Sequence, residues 1–451
     1  MQTMKTRFLF FVVVGCAALA VSSRGAAPTD IASNITHTTL HGLEVYTLPT
    51  GVRDVVTIVG SLPAGDAATR GGNPAIATLV GDMLDQGTRK QDKFAIAEKL
   101  EAVGAELSFS VSNDSLNIYG RCLWKDLPVV LHLLIEQLRE PAFDAEEFER
   151  VKARLIGGMQ RSLEDPETLS DEAFNNAIYP TDHPNYATPV ATFVKAVDEA
   201  TLDEVKAFHA SHYGPNGLLL ALVGDIDPTE VTNVLAGEVT DWAGGSSVVR
   251  AALPATSAPD QDTTVNVDMP DKTSISVVWG QSTGLTYRDA DSLALDVGTA
   301  ILGSGFTGRL MANVRDKEGL TYGIYADNTR DTYNDGEWFI KATFAPELLN
   351  EGIASTRRQL ESWYRDGVTA AELAERKTNL IGSYKLQLAT TRGLGGTILR
   401  TVQRGLPLTS IDTYAERVDA LTLAEVNGVI RKYLNPENMI QVRAGTLPGG
   451  Q

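Results

Sequence analysis

The chain has 451 residues and a formal net charge of −18, with 43% hydrophobic and 21% charged residues. This length exceeds what one ordinary hydrophobic core holds, so we expect two or more globular domains. The acidic balance argues against nucleic acid as a partner, because affinity for nucleic acids comes mainly from Lys and Arg side chains that neutralise phosphates.

The first 20 residues have the pattern of an export signal. Lys5 and Arg7 precede an apolar stretch, and Ala18-Leu19-Ala20 is a fitting cleavage site. Val13-Val14-Gly15-Cys16 also resembles a bacterial lipobox, which would place a lipid anchor on Cys16. We therefore expect a periplasmic protein, either free after removal of residues 1–20 or anchored as a lipoprotein.

Cys122 is the second of only two cysteines. Once Cys16 is removed or lipidated, no intramolecular disulfide can form. Cys122 follows an alternating apolar and polar stretch, which favours a small buried hydrophobic residue over a reactive thiol.

The next elements in chain order are predicted from periodicity and caps. Residues 55–60 and 275–280 are β-rich runs that we expect to open two halves. Residues 73–88 are predicted to form a helix, because Asn73 can cap it and Pro74 suits its first turn. Residues 145–163 form a second, strongly amphipathic helix.

The chain repeats itself. Residues 145–158 match residues 370–383, and Leu155 falls on Leu380 at an offset of 380 − 155 = 225. Thr201 falls on Thr422 at a similar offset, 422 − 201 = 221. Near-equal offsets in the same order indicate two copies of one domain of about 200 residues.

These repeats divide the chain into a first domain at residues 30–242, a linker at 243–262 and a second domain at 263–449. The linker is rich in Gly, Ser, Pro and Ala. Each domain is predicted to be α+β, a mostly antiparallel sheet with helices packed on one side, and the two domains are expected to face each other.

Two runs of residues carry a resemblance to a known family. The first is Thr78-Leu79-Val80-Gly81-Asp82, which is followed by Gly87-Thr88. The second contains Arg315 and, at 322 − 315 = 7 residues further on, Tyr322. With the duplicated layout, they resemble the pitrilysin/insulinase family of zinc peptidases, which includes the mitochondrial processing peptidases. The resemblance covers almost the whole mature chain and implies a clamshell that encloses peptides.

The resemblance implies a metal site that has lost its ligands. The family's zinc helix carries His-x-x-Glu-His, in which two His share the metal and the Glu activates water. Here Thr78 and Asp82 replace the two His, and Gly81 replaces the Glu. The third ligand position falls on Gly157 and Gly158. We therefore expect no cofactor in this chain.

The resemblance also implies that Arg315 and Tyr322 reach across the clamshell. In the family they hydrogen-bond the peptide backbone near the scissile carbonyl, where a phenol can support the oxyanion. Gly303, Gly305 and Gly319 are then expected to border the substrate chamber. Without the resemblance, the residues alone favour an ion pair of Arg315 with Asp316 or Glu318, and a tyrosine packed in a sheet.

Two other patterns are set aside. Residues 303–308 fit G-x-G-x-x-G, but they follow an apolar helix rather than a strand, so a dinucleotide site is disfavoured. His209 and His212 lie one turn apart near the predicted end of a helix, and further ligands are missing from the pattern. We expect them to be structural.

The leading hypothesis is a metal-free, peptide-binding subunit of a heterodimeric periplasmic zinc metallopeptidase. Such a chain is inactive alone, and a homologous subunit supplies the zinc and the catalytic Glu. The alternative is a non-enzymatic binding or scaffold protein of the same fold.

Overall fold

The computed structural model describes residues 30–246, 256–329 and 331–448. The export signal, the lipidation candidate Cys16 and the middle of the predicted linker lie outside the described residues. Within these three ranges, every helix is too short or too polar to cross a membrane.

The described residues of the first half form six strands, eight α-helices and three short 3-10 helices. The strands are β1 (Thr36–Leu40), β2 (Leu43–Pro49), β3 (Val55–Leu62), β4 (Glu106–Val111), β5 (Leu116–Leu123) and β6 (Leu219–Gly224). The helices are α1 (Ile76–Met83), α2 (Lys93–Ala102), α3 (Leu127–Arg139), α4 (Ala145–Ser162), α5 (Pro166–Ile178), α6 (Val190–Glu199), α7 (Leu202–His212) and α8 (Pro228–Val239).

The described residues of the second half form five strands, six α-helices and one π-helix at Met311–Lys317. The strands are β7 (Thr263–Asp268), β8 (Ile275–Ser282), β9 (Ile324–Thr329), β10 (Glu337–Phe344) and β11 (Ile440–Gly445). The α-helices are α9 (Ser292–Gly303), α10 (Leu349–Asp366), α11 (Ala370–Leu388), α12 (Thr391–Gln403), α13 (Ser410–Ala420) and α14 (Leu423–Tyr433).

Each half contains one mostly antiparallel sheet, as predicted. The strand order is β1-β2-β6-β3-β5-β4 in the first half and β7-β11-β8-β10-β9 in the second. In the part of the chain that is described, β2 pairs with β6 and β11 pairs with β7 in parallel, and the other neighbours are antiparallel. The α+β class and the two-domain organisation are confirmed.

The internal repeat has a local physical basis. Thr201 and Glu204 form a capping box at the start of α7, and Thr422 and Glu425 form the same box at the start of α14. In each box the Thr hydroxyl and the Glu carboxylate satisfy backbone N–H groups that have no partner within the helix. The matching sequence therefore sets the same helix start in both halves.

Each sheet has one face covered by helices of its own half and the other by a helix of the opposite half. On the first sheet, Val59 and Val223 pack against Ile398 of α12. On the second sheet, Val278 and Val442 pack against Phe174 of α5. The two halves therefore share two reciprocal apolar interfaces in addition to their own cores.

Two of the predicted boundaries are corrected. The helix predicted at 73–88 is shorter, because a turn capped by Asn73 precedes Ile76 and α1 ends at Met83. There the hydrogen bonds change to single turns, from Leu84 N–H to the Gly81 carbonyl at 3.3 Å and from Gln86 N–H to the Met83 carbonyl at 3.1 Å. Residues 55–60 and 275–280 are strands, but β1, β2 and β7 precede them, so they do not open the halves.

Candidate functional site

The first candidate region joins α1 to α4, where the metal ligands of the family are expected. The Thr78 hydroxyl donates a hydrogen bond to Asp66 Oδ1 at 3.0 Å. Asp82 Oδ2 accepts a hydrogen bond from the guanidinium of Arg154, on α4, at 3.1 Å. The side chains of Thr78 and Asp82, which occupy the positions where the resemblance predicts ligands, are therefore both engaged within the protein.

Burial governs the titration of the two carboxylates in this region. It raises the pKa of Asp66 to about 6, against the opposing effect of the hydrogen bond from Thr78. Burial also raises the pKa of Asp82, and the Arg154 guanidinium partly offsets this. Neither group is arranged as a member of a multidentate metal site.

The glycines at the other metal positions have opposite surroundings. A Cβ on Gly81 would lie 2.4 Å from Val111 Cγ2, so α1 packs directly against β4 at this point. Gly157 and Gly158 continue α4 without interruption, and a Cβ on either would meet no heavy atom within 4 Å. A large side chain is thus excluded at Gly81 but not at Gly157 or Gly158.

This donor set does not fit zinc. Tetrahedral zinc sites need three or four His, Cys or carboxylate ligands, whereas these positions hold one hydroxyl, one ion-paired carboxylate and glycines. Across the described ranges, no group of three or more His, Cys, Asp or Glu side chains could hold a metal ion. We therefore derive no chemical step through a metal held by this chain.

The second candidate region is the π-helix that contains Arg315. This rare helix type is found mostly as short insertions, frequently at functional sites. It ends at Lys317, and Gly319, two residues further on, has a left-handed φ of +67°. The N–H of buried Leu320 donates to the Val314 carbonyl at 3.0 Å. The chain then turns into β9.

Tyr322 lies on a fixed backbone with a free side chain. The neighbouring Thr321 hydroxyl contacts the Thr343 carbonyl of β10 at 2.6 Å, and Gly323 N–H donates to the same hydroxyl at 3.2 Å. Tyr322 itself is 89% exposed and precedes β9 rather than lying within it. The expectation that it packs in the sheet, made without the family resemblance, is wrong.

Arg315 lies between two aromatic rings. Its guanidinium carbon is 5.7 Å from the ring centre of Tyr322 and 5.4 Å from that of Phe306. One guanidinium nitrogen also donates to Asp316 Oδ1 at 3.1 Å, while Glu318 pairs with Arg358 instead. The predicted partners Arg315 and Tyr322 are thus brought together, and cation–π contacts hold the guanidinium in place.

Phe306 was not singled out by the sequence. It is 71% exposed at the tip of the loop that follows α9. Arg376 of α11 fixes this loop by donating to the Ser304 carbonyl at 3.0 Å. The available signal was an apolar residue between glycines, which is unusual for a solvent-exposed turn.

The three glycines expected at the chamber border have separate roles. Gly303 packs so closely on β9 that a Cβ would lie 2.2 Å from the Ala326 nitrogen. Gly305 has a left-handed φ of +68°, and both residues line a cavity of about 400 Å³. Gly319 has a left-handed φ of +67° in the turn between the π-helix and Tyr322.

The histidines and the cysteine set aside above have structural contacts. His209 Nε2 lies 2.8 Å from the Leu138 carbonyl, and its ring stacks on Tyr213. The His212 ring stacks on Phe208. Cys122 is buried, and burial raises the pKa of its thiol to about 12, as expected for an unreactive side chain.

Comparison with known proteins agrees with these features. A model of the insulinase family, peptidase family M16, matches residues 55–186, and one described as the peptidase M16 inactive domain matches residues 199–380. An uncharacterized zinc protease of Mycobacterium tuberculosis is 27% identical over 409 residues, 86% of this chain and 90% of that protein. A Helicobacter pylori protein named non-peptidase homolog YmxG is 23% identical over 369 residues, 79% of this chain and 81% of that protein.

Solved structures share the fold over nearly the whole chain. A peptidase M16 inactive domain from Pseudomonas fluorescens superposes with a TM-score of 0.84 at 25% identity, covering 93% of this chain and 99% of that one. The periplasmic protease PqqL from Escherichia coli gives a TM-score of 0.76 at 15% identity, covering 99% of this chain and 48% of that one. The duplicated fold and the two family models, which together span most of the sequence, show that this chain belongs to the M16 peptidase family.

Proposed function

We propose that this protein is the peptide-binding, metal-free subunit of a periplasmic zinc peptidase. In this proposal, a homologous subunit supplies the zinc and the general base. Arg315 and Tyr322 of this chain hold the peptide against that site. The observation that carries the proposal is the exposed Tyr322 phenol on a fixed backbone, with the Arg315 guanidinium 5.7 Å from its ring centre.

The geometry suits recognition of a peptide backbone. Arg315 offers several N–H donors in a rigid fork, and its contacts with Phe306 and Tyr322 limit its motion. The Tyr322 hydroxyl is a neutral donor that becomes a stronger partner as a carbonyl oxygen gains negative charge. Neither group can activate water alone, so the pair can bind and polarise a peptide but not complete its hydrolysis.

The need for a partner follows from the first half. Thr78, Gly81 and Asp82 lack the chemistry of a zinc ligand set, and Asp82 is already paired with Arg154. A chain that has a substrate clamp and no site for an attacking water is complementary to a homologue that has the metal. This complementarity supports a heterodimer.

The test is a peptidase assay with the purified chain and a zinc-bearing M16 homologue from the same genome, separately and mixed. We expect activity of the mixture to exceed that of the homologue alone, and a chelator to abolish it. Tyr322→Phe and Arg315→Gln should lower kcat/KM of the mixture about 100-fold, which is the usual cost of losing one oxyanion donor. Tyr325→Phe is the matched control, because Tyr325 is three residues after Tyr322 in the sequence and its hydroxyl contacts Lys341 rather than Arg315.

A scaffold or binding protein without any role in cleavage is the second candidate. The name of the Helicobacter pylori relative, non-peptidase homolog, favours it. Undiminished turnover by a complex carrying Tyr322→Phe would support this candidate and overturn the clamp. The heterodimer would be overturned if the homologue did not bind this chain and its own peptidase activity were unchanged in the mixture.

A further inference from the structure

A cavity lies at the boundary between the two halves, on the sheet face that α12 covers. It has a volume of about 600 Å³ and opens between strands β4 and β5 of the first half and helix α12 of the second. This volume is in the range of ligand pockets in proteins. Its walls come from both halves, so an occupant would contact both.

Three positions on α12 form one wall because they are spaced four residues apart. Arg392, Gly396 and Arg400 occupy successive turns of the same helix face and all line the cavity. A Cβ on Gly396 would lie 3.6 Å from a terminal nitrogen of Arg400, so that guanidinium folds back along the helix over the glycine. The missing side chain at Gly396 leaves room between the two arginines.

Neither arginine has a carboxylate partner among the described residues. Arg392 stacks on Tyr119 of β5, with its guanidinium carbon 4.6 Å from the ring centre. Crowding by protein atoms and the nearby Arg404 guanidinium lower the pKa of Arg400. In a chain with a net charge of −18, two unpaired guanidiniums in one cavity are a distinct local feature.

The remaining walls supply uncharged hydrogen-bonding groups. No Asp or Glu is found among the described residues that line the cavity. Hydroxyl and amide side chains line it instead, from Ser108, Ser110, Asn117, Gln387 and Thr390. Such a surface satisfies a polar backbone, and the two guanidiniums favour a carboxylate.

We propose that this cavity, with Arg392 and Arg400 on either side of Gly396, binds a carboxylate group of a peptide. The cavity is larger than a lone oxyanion needs, and its neutral donors and acceptors match peptide groups beside the carboxylate. The inference takes from the proposed function only that the ligand is a peptide. The carboxylate comes either from the C-terminus or from an Asp or Glu side chain, and the experiment separates these sources.

The test is calorimetric titration of the purified mature chain with four octapeptides of Ala and Leu. They carry an internal Glu or Gln, combined with a free or amidated C-terminus. We expect one type of carboxylate to tighten binding about tenfold relative to the fully neutral peptide, which corresponds to roughly 1.4 kcal/mol. Arg392→Gln and Arg400→Gln should each remove most of this gain, and Arg400→Lys should keep part of it.

Arg431→Gln is the matched control, because Arg431 is an exposed arginine on α14, outside the cavity, whose guanidinium donates to the Asn427 and Arg365 carbonyls. Both cavity arginines are also exposed, so their variants should unfold at the wild-type temperature. Equal affinity for all four peptides, or a gain that survives both Gln variants, would overturn the inference. Competition by inorganic phosphate as strong as that by the carboxylate peptide would show a simple oxyanion site and would also overturn it.

The same titrations separate this inference from the proposed function. If the neutral peptide binds and Arg315→Gln weakens it, while the carboxylate makes no difference, only the cavity assignment fails. If no peptide binds in any form, both fail. If the carboxylate gain depends on Arg400 but Arg315→Gln has no effect on any peptide, the cavity stands and the clamp fails.

Discussion

Arg154 on α4 donates a hydrogen bond to the Asp82 carboxylate on α1 at 3.1 Å. An ion pair therefore joins the two helices at the positions where the family resemblance places a shared zinc ion. Arg154 lies three residues before Gly157 on α4, where the family resemblance leads us to expect the third ligand. The contact between the two helices at this place is therefore an ion pair.

We expect the Asp82–Arg154 pair to contribute little to stability. The two side chains are 36% and 59% exposed, so solvent screens their attraction. A double-mutant cycle with Asp82→Asn and Arg154→Gln should give a coupling of about 0.2–1 kcal/mol in urea unfolding. A coupling well above this range would show a desolvated pair.

From the contacts of Thr78 and Asp82, we predict that zinc does not change the stability of this chain. Neither added zinc nor a chelator should change the unfolding temperature, because a ligand stabilises only the state that binds it. Differential scanning calorimetry of the isolated chain measures this directly. A rise in unfolding temperature at micromolar zinc that Asp82→Asn removes would contradict the assignment of this site as degenerate.

Gly81, Gly157 and Gly158, which occupy positions where the resemblance predicts metal-site residues, should respond in opposite directions to the same substitution. Gly157→Ala and Gly158→Ala meet open space in a helix interior, so each should stabilise the chain by about 0.5–1 kcal/mol. Gly81→Ala places a Cβ 2.4 Å from Val111 Cγ2 and should destabilise it by about 1–3 kcal/mol.

Chemical denaturation of the three variants provides the measurement, and each serves as a control for the others. Stabilisation by Gly81→Ala would mean that Val111 moves aside without cost.

Much of this site could be predicted from the sequence, because local patterns specify it. The spacing of Arg315 and Tyr322 and the substituted positions Thr78, Gly81 and Asp82 are readable along the chain. The hydrogen-bond partners of Thr78 and Asp82 could not be predicted from the sequence. Asp66 lies 12 residues from Thr78 and Arg154 lies 72 residues from Asp82, and only the folded packing of α1 brings them together.

The fold shows the same division. Matching segments at near-equal offsets predicted the duplicated domains, whereas the exchange of α5 and α12 between sheets was not predicted. Phe174 and Ile398 lie on the apolar faces of α5 and α12. Such faces are typical of any core-facing helix, and the local sequence does not indicate which sheet each helix covers. The helix predicted at 73–88 is too long because turns precede Ile76 and follow Met83, and the apolar periodicity does not distinguish such turns from the helix itself.

Asp66 should make stability depend on pH. Its pKa is raised to about 6 in the folded state, above the value near 3.9 of an unfolded chain. Between pH 4 and 6 the folded state therefore binds more protons, and the free energy of unfolding contributed by this group falls as pH rises.

The variant Asp66→Asn isolates this effect. Between pH 4.5 and pH 7, the free energy of unfolding of the variant should fall by roughly 2 kcal/mol less than that of the wild type. The variant should therefore be more stable than the wild type at pH 7. Urea unfolding of both proteins at pH 4.5 and pH 7 gives the comparison, in which other carboxylates cancel. An equal stability difference at both pH values would show that Asp66 titrates normally.

The reciprocal helices should make the two halves unfold together. Phe174 of α5 is 2% exposed against the second sheet, and Ile398 of α12 is fully buried against the first. Phe174→Ala should cost about 3–5 kcal/mol and Ile398→Ala about 2–5 kcal/mol. Because each helix belongs to one half and covers the other, both variants should shift one common transition in circular dichroism and tryptophan fluorescence.

The control is Phe94→Ala, at a side chain that is 73% exposed, which should change the free energy of unfolding by less than about 0.5 kcal/mol. Two separate transitions, of which each variant lowers only one, would mean that the halves are independent and that the exchanged helices do not couple them.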